Sequence, residues 1–450
     1  MSDTINFDTT KIKQNWVLII VIIVVLSNFF YNINLSLSTD INTGNTDPIT
    51  YHEKAVDIAK GDYSTVDDYF STNYYVTLGF LYKIFGDNYT VAKIFNSFLV
   101  MLTTLLIFWI VQILTNNKII SLISVVLYTV DPIVRFYAHN IYKGPLFVFC
   151  LLIIFLCSIL ITQSDNKRKN IYFSIVMGLI SGYSFLINAW VIAFIPIFVL
   201  YYFIYNYKKE NWKSTLKKTL FYFLVAIGSF ILILVLMNFI FFKPFTGNNV
   251  WQLTNGGHLM YLSNNPSSES NVAFVSVYSD LSMVPLNDWA KENYGIVNVS
   301  ELERHSKSKL ETKFVMEYWL HNPRFVIKRV SQSFFTYWSH PTNAWAQRYI
   351  LNWSKIKYYL WFKWFLVVGA IFFIVRRSDF SKKYSLLFVY MLIISAPYLL
   401  TIYLMRYKQY LIPFQVMLAS LSLYLIFDLV KQLVKPSSQE LDNVDTGQHS

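Results

Sequence analysis

The sequence predicts an all-α polytopic membrane protein, and three observations predict it. The 450 residues are 55% apolar and only 14% charged, against roughly 25% charged for an average soluble protein. Apolar runs long enough to cross a bilayer recur along the chain. Lysine and arginine gather between alternate runs, as cytoplasmic loops require. The net charge of +12 therefore reflects topology, and no nucleic-acid partner is implied. Cys150 and Cys157 share one apolar run, where they read as small packing residues and not as a disulfide or metal framework.

Trp16 to about Leu37 is the first expected span, and Lys11 and Lys13 before it place the N-terminus in the cytoplasm. Its basic flank resembles a signal peptide, but no small-residue cleavage site follows, so the span is expected to be retained. A first outer loop then covers about 38–90. Within it Thr46 is a candidate N-cap, Asp47 lies in the first turn, Pro48 stands near the first helical position, and Gly61 stops a helix running toward Ala59. Tyr51, Ala55 and Ile58 share one face, giving an amphipathic helix on the membrane surface. Tyr74 to Phe85 is too short for a crossing and reads as an interfacial or re-entrant helix.

Further spans are expected at Ile94–Leu114, Ile119–Val134, Leu146–Ile161, Ile171–Ile187, Trp190–Ile204, Leu220–Phe242, Tyr358–Val375, Tyr384–Leu404 and Tyr410–Val430, about ten crossings in all. The basic residues test the parity. Lys118, Lys167-Arg168-Lys169, Lys208 to Lys218, Arg376 to Lys383, and Lys431 with Lys435 all fall on the predicted inner side. Asp131–Lys143, a large segment of about 243–353, and Met405–Gln409 then share the outer side with Asp47. Residues 1–435 form the membrane domain, and 436–450 form a polar cytoplasmic tail.

A segment of roughly a hundred residues is too long for a simple connection. Glu301–Tyr337 carries Leu310, Phe314, Met316, Trp319 and Leu320 at helical spacing, with a break at Asn322-Pro323. Phe325 to Trp338 mixes aromatics with Lys328 and Arg329, and Arg324 precedes it, as in an interfacial helix. No internal repeat of fixed period is visible.

No phosphate-cradling glycine loop, HExxH helix or G-x-S-x-G elbow is present, and chemistry falls to outer-side residues. These are Asp47; Asp131, Arg135, His139 and Lys143; His258, Asn264 and Asn265; and Arg406 with Lys408. One acid facing several cations suits release of a lipid-linked phosphate: the acid takes a proton from an acceptor hydroxyl while the cations neutralise the leaving group. Plainer readings stand beside this one. Asp47 also serves as an ordinary helix cap, Asp131-Pro132 as a helix terminator, and Arg406 and Lys408 as interfacial anchors. Arg135, His139 and Lys143 follow at i, i+4 and i+8, and on a helix they share one face suited to an anion or to lipid headgroups.

The chain resembles the GT-C type membrane glycosyltransferases of family 39, which include protein O-mannosyltransferases and lipid A aminoarabinose transferases. The resemblance rests on Asp47-Pro48-Ile49-Thr50-Tyr51 with Ala55 and Gly61, on Leu81-Tyr82-Lys83-Ile84-Phe85-Gly86, and on Asp131-Pro132 followed by Lys143-Gly144-Pro145-Leu146-Phe147. It continues through Thr254-Asn255-Gly256-Gly257-His258-Leu259, Ser263-Asn264-Asn265-Pro266, His321-Asn322-Pro323, Phe335 and Trp338, and Arg406-Tyr407 with Pro413.

It implies a GT-C-like fold and an inverting transfer of sugar from a polyprenyl-phosphate donor to an acceptor at the outer face of the plasma membrane. Asp47 is the implied general base. Arg406, Lys143, His139 and Arg135 are expected at the donor phosphate, and Tyr51, His52, Asp131, His258, Asn264 and Asn265 at the substrate. Many relatives carry an acid where this chain has Lys143-Gly144, which leaves Asp131 as the only nearby acid for a second carboxylate role, while Lys143 is compatible with metal-independent chemistry. No metal ligand is assigned, no cofactor is required, and a role for a divalent ion stays open. Tyr261, Trp289 and Trp338 offer rings for sugar stacking. The expected partners are the lipid-linked donor, membrane lipids, and a glycan, lipid or protein acceptor that the residues do not identify. Two other functions fit a polytopic chain with outer cations: a ligase or polymerase using lipid-diphosphate-linked glycans, and a transporter of lipid-linked sugars. A transporter calls for ionisable groups near the bilayer midplane, and the spans read as almost free of them.

Overall fold

The computed structural model describes residues 9–38, 46–68, 71–207, 211–247, 249–251, 253, 256–266, 283–339, 363, 365–369, 378–400 and 405–434. Among these no strand occurs. The helices are α1 (Thr9–Ser38), α2 (Thr46–Lys60), α3 (Thr72–Phe85), α4 (Tyr89–Thr115), α5 (Lys118–Thr129), α6 (Pro132–Ala138), α7 (Gly144–Gln163), α8 (Lys167–Phe185), α9 (Phe194–Asn206) and α10 (Trp212–Leu236). They continue as α11 (Lys243–Thr246), α12 (Gly256–Ser263), α13 (Val284–Tyr294), α14 (Arg304–His321), α15 (Pro323–Ser339), α16 (Ser378–Leu400), α17 (Met405–Lys408) and α18 (Ile412–Val434).

Five stretches are long and apolar enough to cross a bilayer among the described residues: Trp16–Ser38, Tyr89–Thr115, Gly144–Gln163, Ala189–Asn206 and Trp212–Thr246. The pair α5 and α6, bent by 63°, makes a sixth if counted as one broken span. Ser385–Leu400 and Ile412–Phe427 are shorter apolar helices, and most of the expected span Tyr358–Val375 lies outside the described residues. The protein is therefore a multi-pass membrane protein, with more helices at the expected span positions than a strict length criterion counts.

Neutral amides start the helices. Asn88, Asn117, Asn166 and Asn211 cap α4, α5, α8 and α10 by accepting bonds from backbone amides one turn in. Each satisfies orphan donors at a helix end without placing a charge there. α2 spans its expected range, and Gly61 ends it at φ +90°, a conformation that favours glycine. Tyr51, Ala55 and Ile58 are buried along its inner face. The face meets α3 so closely that a Cβ on Gly79 would lie 2.5 Å from the Ile58 side chain.

α8 and α10 make the tightest pair. Gly178 and Gly182, one turn apart, bring the backbone of α10 against α8: a Cβ on Gly182 would stand 2.7 Å from the Phe230 carbonyl, and one on Gly178 would collide with the Ala226 carbonyl. This is the small-residue packing that lets helix backbones approach in lipid. α10 ends in a π-helical turn at Met237–Phe242. There the Asn238 side chain accepts from the Val250 amide at 2.7 Å and donates to the Val250 carbonyl at 3.0 Å.

The segment after α11 has its own small core, with Tyr261, Leu286, Ala290, Val299, Phe314 and Val315 buried together. α14 and α15 meet at Asn322-Pro323, the break expected from the sequence. Replacing Gly178 with Leu should separate α8 from α10 and cost about 1–3 kcal/mol through overpacking; the midpoint of thermal unfolding in nanodiscs measures it, and an unchanged midpoint would refute the close packing.

Candidate functional site

The candidate site lies where the α6–α7 connection, the turn after α8 at Ile187 and Asn188, and the α17 turn come together, with α2 joined to them through Tyr74 and Asn96. Its centre is Asp131. This residue follows α5, caps α6 by accepting from the amides of Ile133 (2.9 Å) and Val134 (3.4 Å), and takes the Lys363 ammonium on its other oxygen at 2.6 Å. Both partners are buried, Asp131 at 0% exposure and Lys363 at 4%. Lys408 on α17 is buried as well. Burial first, and the charge of Lys363 second, push its ammonium well below the ordinary lysine value. The cluster thus holds two lysines against one carboxylate, an arrangement that favours an added anion.

Lys143 stands at the N-cap of α7 and donates to the Ile187 carbonyl at 3.2 Å. The next residue, Gly144, lies flush against the Gln409 side chain, and any Cβ there would overlap the Gln409 amide. On the far side, Asn188 donates to the Tyr398 hydroxyl at 3.0 Å, and Tyr398 stacks on Tyr407 with centroids 4.5 Å apart. Arg406 belongs to α17, and its side chain lies outside the described residues.

The expected shared face of Arg135, His139 and Lys143 does not form. α6 ends at Ala138, His139 is its C-cap and Lys143 already belongs to the next helix. Arg135 instead turns back to donate to the Thr129 carbonyl at 2.8 Å and lies over the Tyr31 ring. His139 is held below the usual histidine range chiefly by burial, with Lys93 adding to the effect against the Arg135 carbonyl. The cause is the proline-started short helix, which cannot extend a face across eight residues.

Asp47 is half-buried in the first turn of α2. Tyr51 is buried and meets Tyr74 edge-on with centroids 5.1 Å apart. His52 lies 2.9 Å from the Tyr82 hydroxyl and stacks on Tyr89; burial, against the pull of Asp87, holds it below the usual histidine range. Behind them Asn96 reaches the Tyr74 hydroxyl and the carbonyls of Asn140 and Tyr142 within 3.1 Å. The loop that carries Asp47 is thereby tied to the loop that carries Lys143.

His258, Asn264 and Asn265 belong to the segment after α11. His258 lies 2.8 Å from Glu311, itself 1% exposed. Asn264 donates to the carbonyls of Met260 and Leu400 and accepts from the Trp319 indole at 3.2 Å, fixing α12 to the end of α16. Asn265 donates to the Tyr261 carbonyl. Tyr261 is wholly buried, and Trp289 packs on Tyr294 and Phe314 while donating to Glu317. Tyr261 fills the small core and presents no face for sugar stacking, and Trp289, partly buried, packs against that core. The side chain of Trp338 lies outside the described residues.

Two contributors escaped the sequence reading. Lys363 sits in Trp361-Phe362-Lys363-Trp364-Phe365 and was absorbed into an apolar run, yet an ionisable residue inside a span is itself a functional signal. It corrects the expectation of spans almost free of buried charge. Asp67 pairs with Lys54 of α2 at 3.0 Å and with Arg304 of α14 at 2.9 Å, joining the first loop to the later segment. Surface loop acids carry no such signal. Among the described residues no group of three or more His, Cys, Asp or Glu could hold a metal ion.

Two outcomes follow. Asp131→Asn should leave Lys363 buried without its counter-charge and destabilise the protein by about 3–5 kcal/mol, while the double change Asp131→Asn with Lys363→Met should recover most of it in thermal unfolding. The second concerns acid. Burial raises the Asp67 carboxyl, but Lys54 and Arg304 outweigh it and hold it below its ordinary value of 3.8. A carboxyl lowered on folding stabilises above its unfolded value and loses that contribution as pH falls through the folded one. Proteolytic protection of the segment after α11 should therefore fall below about pH 3.8, and Arg304→Ala should move that loss to higher pH.

Residues 63–247 match the family model of dolichyl-phosphate-mannose-protein mannosyltransferases. The matched span contains Asp131, Arg135, His139 and Lys143; Asp47 precedes it, and His258, Asn264, Asn265 and Arg406 follow it. No curated protein matches the chain. Two solved structures of ArnT from Cupriavidus metallidurans are similar in outline. The apo state is 14% identical with a TM-score of 0.37, and the state bound to undecaprenyl phosphate is 13% identical with a TM-score of 0.38; each alignment covers 91% of this chain and 77% of the other. The resemblance to the family 39 glycosyltransferases is thus matched by a family model over residues 63–247.

Proposed function

We propose that the protein is a membrane glycosyltransferase that takes a sugar from a polyprenyl-phosphate donor and passes it to an acceptor at the outer face of the plasma membrane, with both termini cytoplasmic. The observation that carries this reading is the family match over 63–247, which contains Asp131 and Lys143. The geometry agrees with it. A reaction that expels a lipid phosphate needs positive charge held where water is scarce; Lys363 and Lys143 supply it around one fully engaged acid, and an entering phosphate favours the charged form of Lys408 that burial and Lys363 oppose.

The step is a single displacement. Asp47 takes the proton of the acceptor hydroxyl, the acceptor oxygen bonds to the anomeric carbon, and the bond from that carbon to the phosphate oxygen breaks with inversion. The electron pair leaves with the polyprenyl phosphate, whose charge Lys143, Lys408 and Arg406 neutralise. Asp131 holds Lys363 and the start of α6 and serves as a positioning residue, since both its oxygens are taken by the protein. Lysine at position 143 supplies charge that a metal ion would otherwise bring, which is compatible with a reaction that requires none.

Purified protein in nanodiscs, offered a polyprenyl-monophosphate sugar and the matching diphosphate with a panel of hydroxyl acceptors, tests the reading. Consumption of the monophosphate, undiminished by chelator and reduced at least a hundredfold in Asp47→Asn, is the expected result. Turnover retained in that variant would remove Asp47 as the base. Preference for the diphosphate would reassign the protein to glycan ligation, and movement of intact donor across the bilayer would reassign it to transport.

A further inference from the structure

The elbow between α14 and α15 carries apolar surface that no described part of the chain covers. Leu320 is 81% exposed, the highest value for any large apolar side chain among the described residues, and Met316 and Ile327 are 57% and 68% exposed. Met316 and Leu320 follow at i and i+4 on α14, and the same stripe continues upward as exposed Lys313 and Lys309. The opposite face of α14, with Glu311, Phe314 and Val315, is buried in the small core. Apolar residues thus lie at the elbow end of the stripe and cations at the other.

Two contacts fix the level of the elbow. Trp319 donates to Asn264, and Asn264 donates to the carbonyl of Leu400 at the end of α16. Leu320 therefore stands beside the mouth of a membrane helix. α15 then packs along α16; it bears Arg324, Lys328 and Arg329 and contains no aspartate or glutamate. Arg324 and Lys328 are exposed, again at i and i+4. From Leu320 to Lys313 is seven residues, about 10 Å of helix, close to the thickness of one headgroup layer, about 5–8 Å.

We propose that this elbow docks into the outer leaflet, with Met316, Leu320 and Ile327 at the acyl boundary and Arg324, Lys328 and Lys313 on the phosphates of anionic lipid headgroups. The lipid surface is favoured as occupant because the apolar end lies at membrane level and the exposed charges beside it, Arg324, Lys328 and Lys313, are positive, while the nearby Glu317 accepts from the Trp289 indole. The docking rests only on the outer placement of the segment in the function proposed above and stands whether or not the chain transfers sugar. It makes the lipid composition of the outer leaflet a determinant of how the segment after α11 sits over the site.

A nitroxide attached at Leu320→Cys in the full-length protein reads the depth, since Cys150 and Cys157 are buried. In nanodiscs containing phosphatidylglycerol the label should be accessible to oxygen and shielded from an aqueous relaxing agent. It should become more aqueous in phosphatidylcholine, and in Arg324→Glu with Lys328→Glu the docking equilibrium constant should fall at least about fivefold for each basic residue lost. Ile327→Cys gives an independent label on the other arm of the elbow. A water-exposed label in every lipid would overturn the docking, equal depth in the two lipids would overturn the role of anionic headgroups, and a label shielded from oxygen and water alike with dipolar broadening would assign the face to a second copy of the chain. Sugar transfer measured on the same samples separates failure of the docking from failure of the function.

Discussion

The bond between Asp131 and Lys363 is the constraint on which the rest of the site depends. It joins positions far apart in sequence inside a low-dielectric interior, where neither ion is tolerable alone. Asp131 answers three demands at once. It ends the preceding span, supplies the two acceptor contacts that start α6, and carries the negative charge that lets Lys363 remain buried. The 63° bend between α5 and α6 is thereby tied to the segment that carries Lys363, and the connection leading to Lys143 inherits its direction from that bend. A buried ion pair contributes little net stability against an apolar pair of similar volume. Its role here is to specify a geometry.

Around this pair the protein relies on uncharged amides to join separate loops. Asn96 ties the loop after α6 to Tyr74 and so to the helix bearing Asp47; Asn188 holds Tyr398; Asn264 holds the end of α16. An asparagine both donates and accepts, so it can satisfy backbone groups of two loops without adding charge. That leaves the electrostatics of the site to the lysines and Asp131. It also explains why Tyr51 and His52 are better understood as supports than as groups offered to solvent: each is held by an aromatic neighbour that belongs to the same framework.

Much of this architecture was legible in the sequence because it depends on local rules. The spans follow from apolar length, α2 from Thr46-Asp47-Pro48 and Gly61, and the α14–α15 elbow from Asn322-Pro323. The burial of Tyr51, Ala55 and Ile58 follows from helical spacing. What was not legible depends on contacts between distant residues. Lys363 was hidden by its apolar neighbours, and nothing near Asp131 in sequence announces its partner. The spacing of Arg135, His139 and Lys143 suggested one face only by carrying helical periodicity through a connection where the helix stops. Tyr261 and Trp289 looked available because the small core that absorbs them is assembled from helices remote in sequence.

The π-helical turn at the end of α10 has a geometric consequence for the chain that follows it. A π turn accommodates one more residue than the α ladder expects, and one residue corresponds to about 100° of helical rotation. Residues after Phe242 therefore project in directions that periodicity counted from Trp212 assigns to a different side of the helix. Asn238, inside that turn, grips both backbone groups of Val250 and fixes the phase. The inserted residue acts as an angular spacer: it re-aims α11 and, through Asn238, sets where the chain stands at Val250, without altering the packing of α10 against α8 below.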